Sequence, residues 1–199
     1  MTTLESRRSP RLLAAFMILA GVIGWWAAFS LTLEKFALAD DSSAAIGCDF
    51  SILVQCSANL TSWQGSLFGF PNPIIGLGAW VAPIVVGVAI FAGARFARWF
   101  WALFNLGLAG AMAFVIWLMS QSIFELNTLC PWCMVTWSVT IPLFLAVTFY
   151  NLREGNLPAG PRTRRVAGAL LQWIVVVTLA AYLIVAVIAQ LRLDVISYL

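Results

Sequence analysis

The sequence predicts an all-α membrane protein with five transmembrane helices. Two observations carry this. Of 199 residues, 62% are hydrophobic and 10% are charged, and mean hydropathy is +0.96, far from the composition of a water-soluble domain. Five apolar runs, at about 11–33, 74–94, 99–121, 130–152 and 167–191, each exceed the roughly 18 residues that mark a spanning helix. What remains is too short for a separate soluble unit, so residues 1–199 are expected to form one transmembrane domain with an outer loop at 34–73.

Lysines and arginines near the helix ends set the orientation, because short cytoplasmic segments retain them. With the N-terminus inside, the inner segments hold Arg7, Arg8, Arg11, Arg95, Arg98, Arg153, Arg162, Arg164 and Arg165, and the outer ones only Lys35 and Arg192. Five spans then place the C-terminus outside. The net charge of +3 is this inner collar, and no aromatic-basic motif argues for nucleic acid. A cleaved signal peptide is the competing reading of the N-terminus, with Arg7, Arg8 and Arg11 as its basic region and Ala37-Leu38-Ala39 as its cleavage site. The apolar run from Leu12 to Leu33 has 22 residues, against roughly 7–15 for a signal-peptide core, so it is read as a retained helix 1.

Helix 1 carries Ala20, Gly24 and Ala28 at four-residue spacing, a small-residue stripe that lets another helix approach closely; Gly107 and Ala111 repeat it in helix 3. Pro83 is expected to kink helix 2, and Pro142 lies within helix 4. Trp99 and Trp101 read as part of an interfacial belt. No Asp, Glu, Lys or Arg lies near the centre of any span, which disfavours proton-coupled or charged-solute transport.

The outer loop divides in two. Residues 39–51, with Asp40, Asp41, Ser42, Ser43 and Asp49, read as small, polar and irregular. Beyond them Cys56, Leu60, Trp63 and Leu67 recur at i, i+4, i+7 and i+11, one face of a helix. Ser57, Asn59, Ser62 and Gln64 take the other faces. Such a short helix on the outer end of the bundle would aim Cys56 toward the membrane interior, and Gly69, Pro71 and Pro73 would end it before helix 2.

All four cysteines then fall on the outer side, where disulfides can persist if that side is a periplasm or its equivalent. Cys130-Pro131-Trp132-Cys133 opens helix 4. A proline suits the first helical position, which makes Cys130 the N-cap. The free N–H groups and positive dipole end there favour a thiolate. Cys133, one turn on and deeper, is near enough to close a disulfide. Cys48 and Cys56, separated by seven residues, permit a small disulfide loop without requiring one. Structural staples or a zinc site compete with redox work, but a bridge within one helical turn constrains little, and the spacings fit a zinc ribbon poorly. The chain has no histidine. Electrons arriving at a membrane dithiol need a lipid-soluble acceptor, and a quinone reaching Cys133 from the bilayer is the economical one.

At these residues the chain resembles the bacterial vitamin K epoxide reductase (VKOR) family. The likeness runs roughly from helix 1 through helix 4. It comprises Cys48 and Cys56, Ser62 six residues after the second, the Phe68-Gly69-Phe70-Pro71-Asn72-Pro73-Ile74-Ile75-Gly76-Leu77 stretch and the Cys130–Cys133 pair. The resemblance implies a four-helix bundle around a quinone, capped by a short half-helix, with helix 5 alongside. It implies catalytic Cys130 and Cys133, with Cys133 nearest the quinone, Cys56 exchanging with Cys130, and Cys48 facing a partner. Asn72 matches a residue that hydrogen-bonds the quinone carbonyl, Ser62 a loop serine, and Trp137 stands where animal members carry a tyrosine. Many bacterial members continue into a thioredoxin-like domain. This chain stops at Leu199, so the resemblance points to a separate DsbA-like partner.

The function expected is therefore that of a multi-pass enzyme of the bacterial plasma membrane. It would be a thiol:quinone oxidoreductase that passes electrons from a DsbA-like, thioredoxin-like extracytoplasmic protein to menaquinone or ubiquinone, with no metal. A DsbB-type enzyme performs the same reaction with four helices and its C-x-x-C in the first outer loop, an order this chain does not have. A non-enzymatic scaffold or transporter with structural disulfides is the alternative from another class.

Overall fold

The computed structural model describes residues 5–41 and 43–198, with side chains from 11 to 41 and 43 to 197. The side chains of Arg7 and Arg8, together with Ser42 and Leu199, lie outside the described residues. Among the described residues the elements are all helical, and five helices are long and apolar enough to cross a membrane. The chain is an all-α membrane protein.

Helix α1 runs Glu5–Asp40, well beyond the expected end at 33. At 1.5 Å per residue it is about 54 Å long, against roughly 30 Å of hydrocarbon, so its upper turns stand clear of the bilayer. Once in water, Glu34, Lys35 and Asp40 no longer oppose helix, and Ala37, Leu38 and Ala39 favour it. Consequently Ala39 and Asp40, read as irregular, are helical, and Glu34 is carried on a helix rather than a loop.

The second span is two helices, α3 (Asn72–Ala79) and α4 (Val81–Phe91), after the short α2 (Ser57–Thr61). The break at Trp80 lies just before Pro83, which has no N–H to give the Ala79 carbonyl. Helix α5 (Arg98–Ser120) continues through a π-helical turn, Gln121–Leu126, and so overruns the expected end at 121. Asn127 stops it in the left-handed conformation (φ 53°) that asparagine tolerates, and the Ser122 hydroxyl donates to the Thr128 carbonyl.

Helix α6 (Pro131–Glu154) starts on Cys130 and ends at Gly155 in the left-handed conformation (φ 73°). Within it, Pro142 frees the carbonyl of Ser138, four residues earlier. The Tyr182 hydroxyl, on α8 (Ile174–Leu193), donates to that carbonyl. The proline thus becomes an attachment point for the last helix. The expected span 167–191 began too early. Residues Pro161–Gln172 form a separate helix, α7, which breaks at Trp173. Arg162, Arg164 and Arg165 cannot enter hydrocarbon, while Ala167 packs into the protein.

Helix α1 is the central element, packed on α3, α4 and α6; α5 and α8 pack on α6. The core between them includes Met17, Ala20, Trp80, Trp101, Leu143 and Val147. Large apolar side chains such as Leu19, Leu106, Leu179 and Leu183 are exposed, an arrangement suited to lipid rather than water. Trp99 is exposed, but Trp101 is buried against Phe104 and Tyr150 and is a core residue rather than part of a belt. At the arginine-bearing end, the fully buried Asn151 donates to Asn105 Oδ1 (3.1 Å) and accepts from Asn156 (3.0 Å), tying α5 to α6.

The two small-residue stripes differ. A Cβ on Gly24 would lie 2.2 Å from the Trp80 ring, whereas one on Gly107 would meet nothing within 4 Å. The first stripe is a packing seam, and Gly107 is not part of one. Gly24→Ala should therefore destabilise the bundle by about 1–3 kcal/mol through overpacking. Gly107→Ala should leave the thermal unfolding midpoint in detergent close to wild type.

Candidate functional site

The four cysteines meet because two extended strips of backbone pair. The Leu129 amide donates to the Leu53 carbonyl (2.7 Å), and the Gln55 amide donates to the Leu129 carbonyl (3.1 Å). This single parallel bridge, between Val54 and Leu129, brings the residues just before Cys56 alongside the residue just before Cys130. Cys56 and Cys130 are fully buried, and their sulfurs lie 3.2 Å apart.

Cys48 and Cys56 are joined in a disulfide, and Cys130 and Cys133 are free thiols. Cys130 is the N-cap of α6, with Pro131 in the first turn, and its sulfur accepts from the Cys133 amide at 3.4 Å. Cys48, expected to face a partner, is almost buried but lines a small cleft with Glu34, Phe50 and Trp132.

Glu34, Cys48 and Cys56 place a carboxylate oxygen and two sulfurs within 4.8 Å of one another. With those sulfurs bonded to each other, they offer no pair of thiolates to a metal.

The amphipathic stretch after Cys56 is not one helix. It breaks at Ser62 into α2 and a 3-10 turn, Trp63–Ser66. The Ser62 hydroxyl donates to the Asn59 carbonyl (2.8 Å) and accepts from the Gly65 amide (3.2 Å). A side chain at Gly65 would strike the Asn59 carbonyl oxygen at 2.3 Å, so the turn needs that glycine. As a result Leu60 is buried as expected, but Trp63 and Leu67 face outward, and Trp63 packs edge-on against Trp117.

A cavity of about 210 Å³ lies beneath this cap, between α1, α3–α4, α5 and α6. Cys133, Trp137, Trp80 and Phe114 line it, with the amides of Gln64, Asn72 and Gln121 toward the capped end. Asn72 donates to the Gln64 carbonyl (2.6 Å) and accepts from the Leu67 amide (3.2 Å), leaving one amide hydrogen uncommitted. Ser62 does not line the cavity; its hydroxyl holds the turn whose Gln64 and Gly65 do.

Two carboxylates at this end were not singled out as functional from sequence. Glu34 lies 2.9 Å from Cys48. Asp49 accepts from the backbone amides of Cys56 (2.7 Å) and Ser57 (3.1 Å), acting as a remote cap for α2. Burial pushes the Asp49 carboxyl up, but the hydrogen bonds from Ser57 and Cys56 outweigh it and hold the group below the usual carboxylate range. The only sequence signal was an aspartate beside a cysteine, since the α2 amides it caps lie seven and eight residues on.

Because the folded carboxyl is more acidic than the unfolded one, its contribution is fully present above about pH 4. It is lost as pH falls through the lower folded value. Asp49→Ala should raise hydrogen exchange at Cys56 and Ser57 by an amount equivalent to about 1 kcal/mol at neutral pH. That difference from wild type should vanish under strongly acidic conditions.

The arrangement can pass a disulfide between pairs, since a buried free sulfur touches a bonded one and its helical neighbour lines an apolar cavity. Neither a curated protein nor a solved structure matches the chain. The model of the vitamin K epoxide reductase family matches residues 15–148, two thirds of the sequence, from α1 into α6. The chain therefore belongs to the vitamin K epoxide reductase family, whose members are quinone-linked membrane thiol–disulfide oxidoreductases.

Proposed function

We propose that the protein is a thiol:quinone oxidoreductase of the bacterial plasma membrane, with its N-terminus in the cytoplasm and all four cysteines outside. It reoxidises a separate DsbA-like, thioredoxin-fold protein and so supports disulfide formation. The observation that carries this reading is the 3.2 Å contact between the Cys56 and Cys130 sulfurs, one helical turn from a Cys133 that lines the cavity.

The relay follows from thiol–disulfide exchange. A thiolate of the reduced partner attacks Cys48, the Cys48–Cys56 bond breaks, and the electron pair leaves on Cys56. The partner's second thiolate then releases Cys48 and carries away a disulfide. Cys56 attacks Cys130 of an oxidised Cys130–Cys133 pair, forming a Cys56–Cys130 bond and leaving the electron pair on Cys133. Cys48 resolves that mixed disulfide, restoring Cys48–Cys56 and freeing Cys130. The bonding in this structure, Cys48 to Cys56 with Cys130 and Cys133 free, corresponds to that point. Two electrons then rest on the pair beside the cavity.

The cavity suits a quinone in size and chemistry. About 210 Å³ accommodates a substituted ring, the walls are apolar, and the uncommitted Asn72 hydrogen and the Gln64 amide hydrogen not given to Gln121 Oε1 offer donors for carbonyl oxygens. Menaquinone or ubiquinone held there supplies a two-electron, two-proton acceptor. Trp137, 7% exposed, gives a flat wall for stacking but no hydroxyl. Ser62 contributes through the turn it holds. The arginine collar, on the opposite helix ends from the cysteines, supports the orientation.

Cys133→Ser should abolish transfer out of the pair, lowering oxidation of reduced DsbA by roughly 10³-fold or more. It should also leave a Cys56–Cys130 cross-link detectable by non-reducing peptide mapping. Turnover by Cys133→Ser at the wild-type rate would remove this reading. Trp137→Leu should raise the KM for a short-chain ubiquinone roughly 3- to 10-fold, the loss of one aromatic contact of about 0.5–1.5 kcal/mol. Cross-linking between Cys56 and Cys130 should be unaffected by it.

A further inference from the structure

Helix α1 carries Glu34 out of the bilayer to the outer side of the disulfide, where its Oε2 lies 2.9 Å from Cys48 Sγ. A sulfur in a disulfide has no hydrogen to give. At that distance an ionised carboxylate would set lone pair against lone pair, so the attractive form of the contact is a carboxylic acid donating O–H to sulfur. When Cys48 is reduced, its S–H can donate to a carboxylate across the same gap. One proton therefore fits between these two atoms in both redox states, on one atom or the other.

The surroundings suit a group that changes protonation. Glu34 is half-buried and makes no ion pair among the described residues. Its neighbour Lys35 is turned away, donating to the Leu60 carbonyl at 2.6 Å. From the cysteine loop, the charged group near it is Asp49, already committed to the Cys56 and Ser57 amides. From α6, Pro131, Trp132 and Val135 surround the cleft, and none of them ionises. Burial and then the Asp49 charge push the Glu34 carboxyl up, against a hydrogen bond from the Trp132 side chain that favours the carboxylate, so opposed influences act on one carboxyl.

We infer that Glu34 is a catalytic residue of the relay, the proton acceptor and donor for Cys48. The inference rests on the proposed order of transfer. In the resolving step the Cys48 thiol gives its proton to the Glu34 carboxylate, and its sulfur bonds to Cys56. The Cys56–Cys130 bond breaks, and the electron pair leaves on Cys130 at the start of α6. Later, when the partner's second thiolate displaces Cys48 from the partner–Cys48 disulfide, Cys48 departs with the electron pair and takes the proton back from Glu34. The proton cycles between the two residues, charge balances in each step, and no further reactant is needed.

The test uses the full-length enzyme in nanodiscs with reduced DsbA and a short-chain ubiquinone, comparing wild type, Glu34→Gln and Cys48→Ser from pH 6 to 9. Glu34→Gln should slow turnover about 100-fold at pH 7 and accumulate the Cys56–Cys130 cross-link. The deficit should shrink to within about 5-fold at pH 9, where a cysteine thiol ionises unaided. A structural defect would not recover with pH, so an equal loss at pH 7 and 9 overturns the inference, as does wild-type turnover by Glu34→Gln. In that last case an inactive Cys48→Ser leaves the relay standing with Glu34 idle. An active Cys48→Ser removes the relay and the role of Glu34 with it.

Discussion

One short backbone bridge organises the chemistry of this protein. Leu53 and Gln55 exchange hydrogen bonds with Leu129, and everything redox-related sits within a few residues of that clip. A thiol–disulfide transfer needs sulfurs in contact, and side chains on two mobile loops would meet rarely. Main-chain pairing fixes the approach with groups that carry no rotamer freedom, so the 3.2 Å sulfur contact costs little conformational entropy beyond folding itself. The π-helical turn and left-handed Asn127 deliver Leu129 to the clip from one side. From the other, the Asp49 carboxylate anchors the first amides of α2.

Below the clip, the bundle is shaped by what a bilayer forbids. Backbone groups without partners are costly in hydrocarbon, and each irregularity here answers that constraint. Pro142 releases a carbonyl, and Tyr182 takes it up, which holds α8 against α6. Pro83 breaks the second span at Trp80, whose ring then fills the space left by Gly24. With α1 gripping α3, α4 and α6, and α5 held through α6, the remaining space between the helices is the cavity reached by Cys133 and Trp137. The cavity is thus a consequence of helix packing, closed at its outer end by the turn that carries Gln64 and Gly65.

The two dithiol pairs occupy different physical settings. Cys130 caps the start of a 24-residue helix, and Cys133 lies one turn in and lines the apolar cavity. Cys48 and Cys56 sit in a loop held by side chains, with carboxylates rather than amides beside Cys48. That asymmetry suits a relay in which one pair meets a water-soluble partner and the other faces lipid. The cavity lining offers amides and threonines and no carboxylate, whereas Glu34 lies against Cys48.

The sequence by itself determined the class, the number of spans, the co-facial cysteines and the helix start at Cys130. Composition and run length report directly on the solvent a helix must cross, and a proline after a cysteine reports on a helix N-terminus. Boundaries were less legible. Helix α1 outlasts its apolar run because helix needs no hydrophobicity above the membrane, and α7 was absorbed into the last span because amphipathic and spanning helices adjoin. What only the tertiary structure decided was contact between distant segments. The bridge from Leu53 and Gln55 to Leu129, Asp49 capping α2, Tyr182 on the Ser138 carbonyl and Glu34 against Cys48 join residues seven to about seventy-five apart. Such pairings depend on where helices stop and how they cross, which no local pattern of residues encodes.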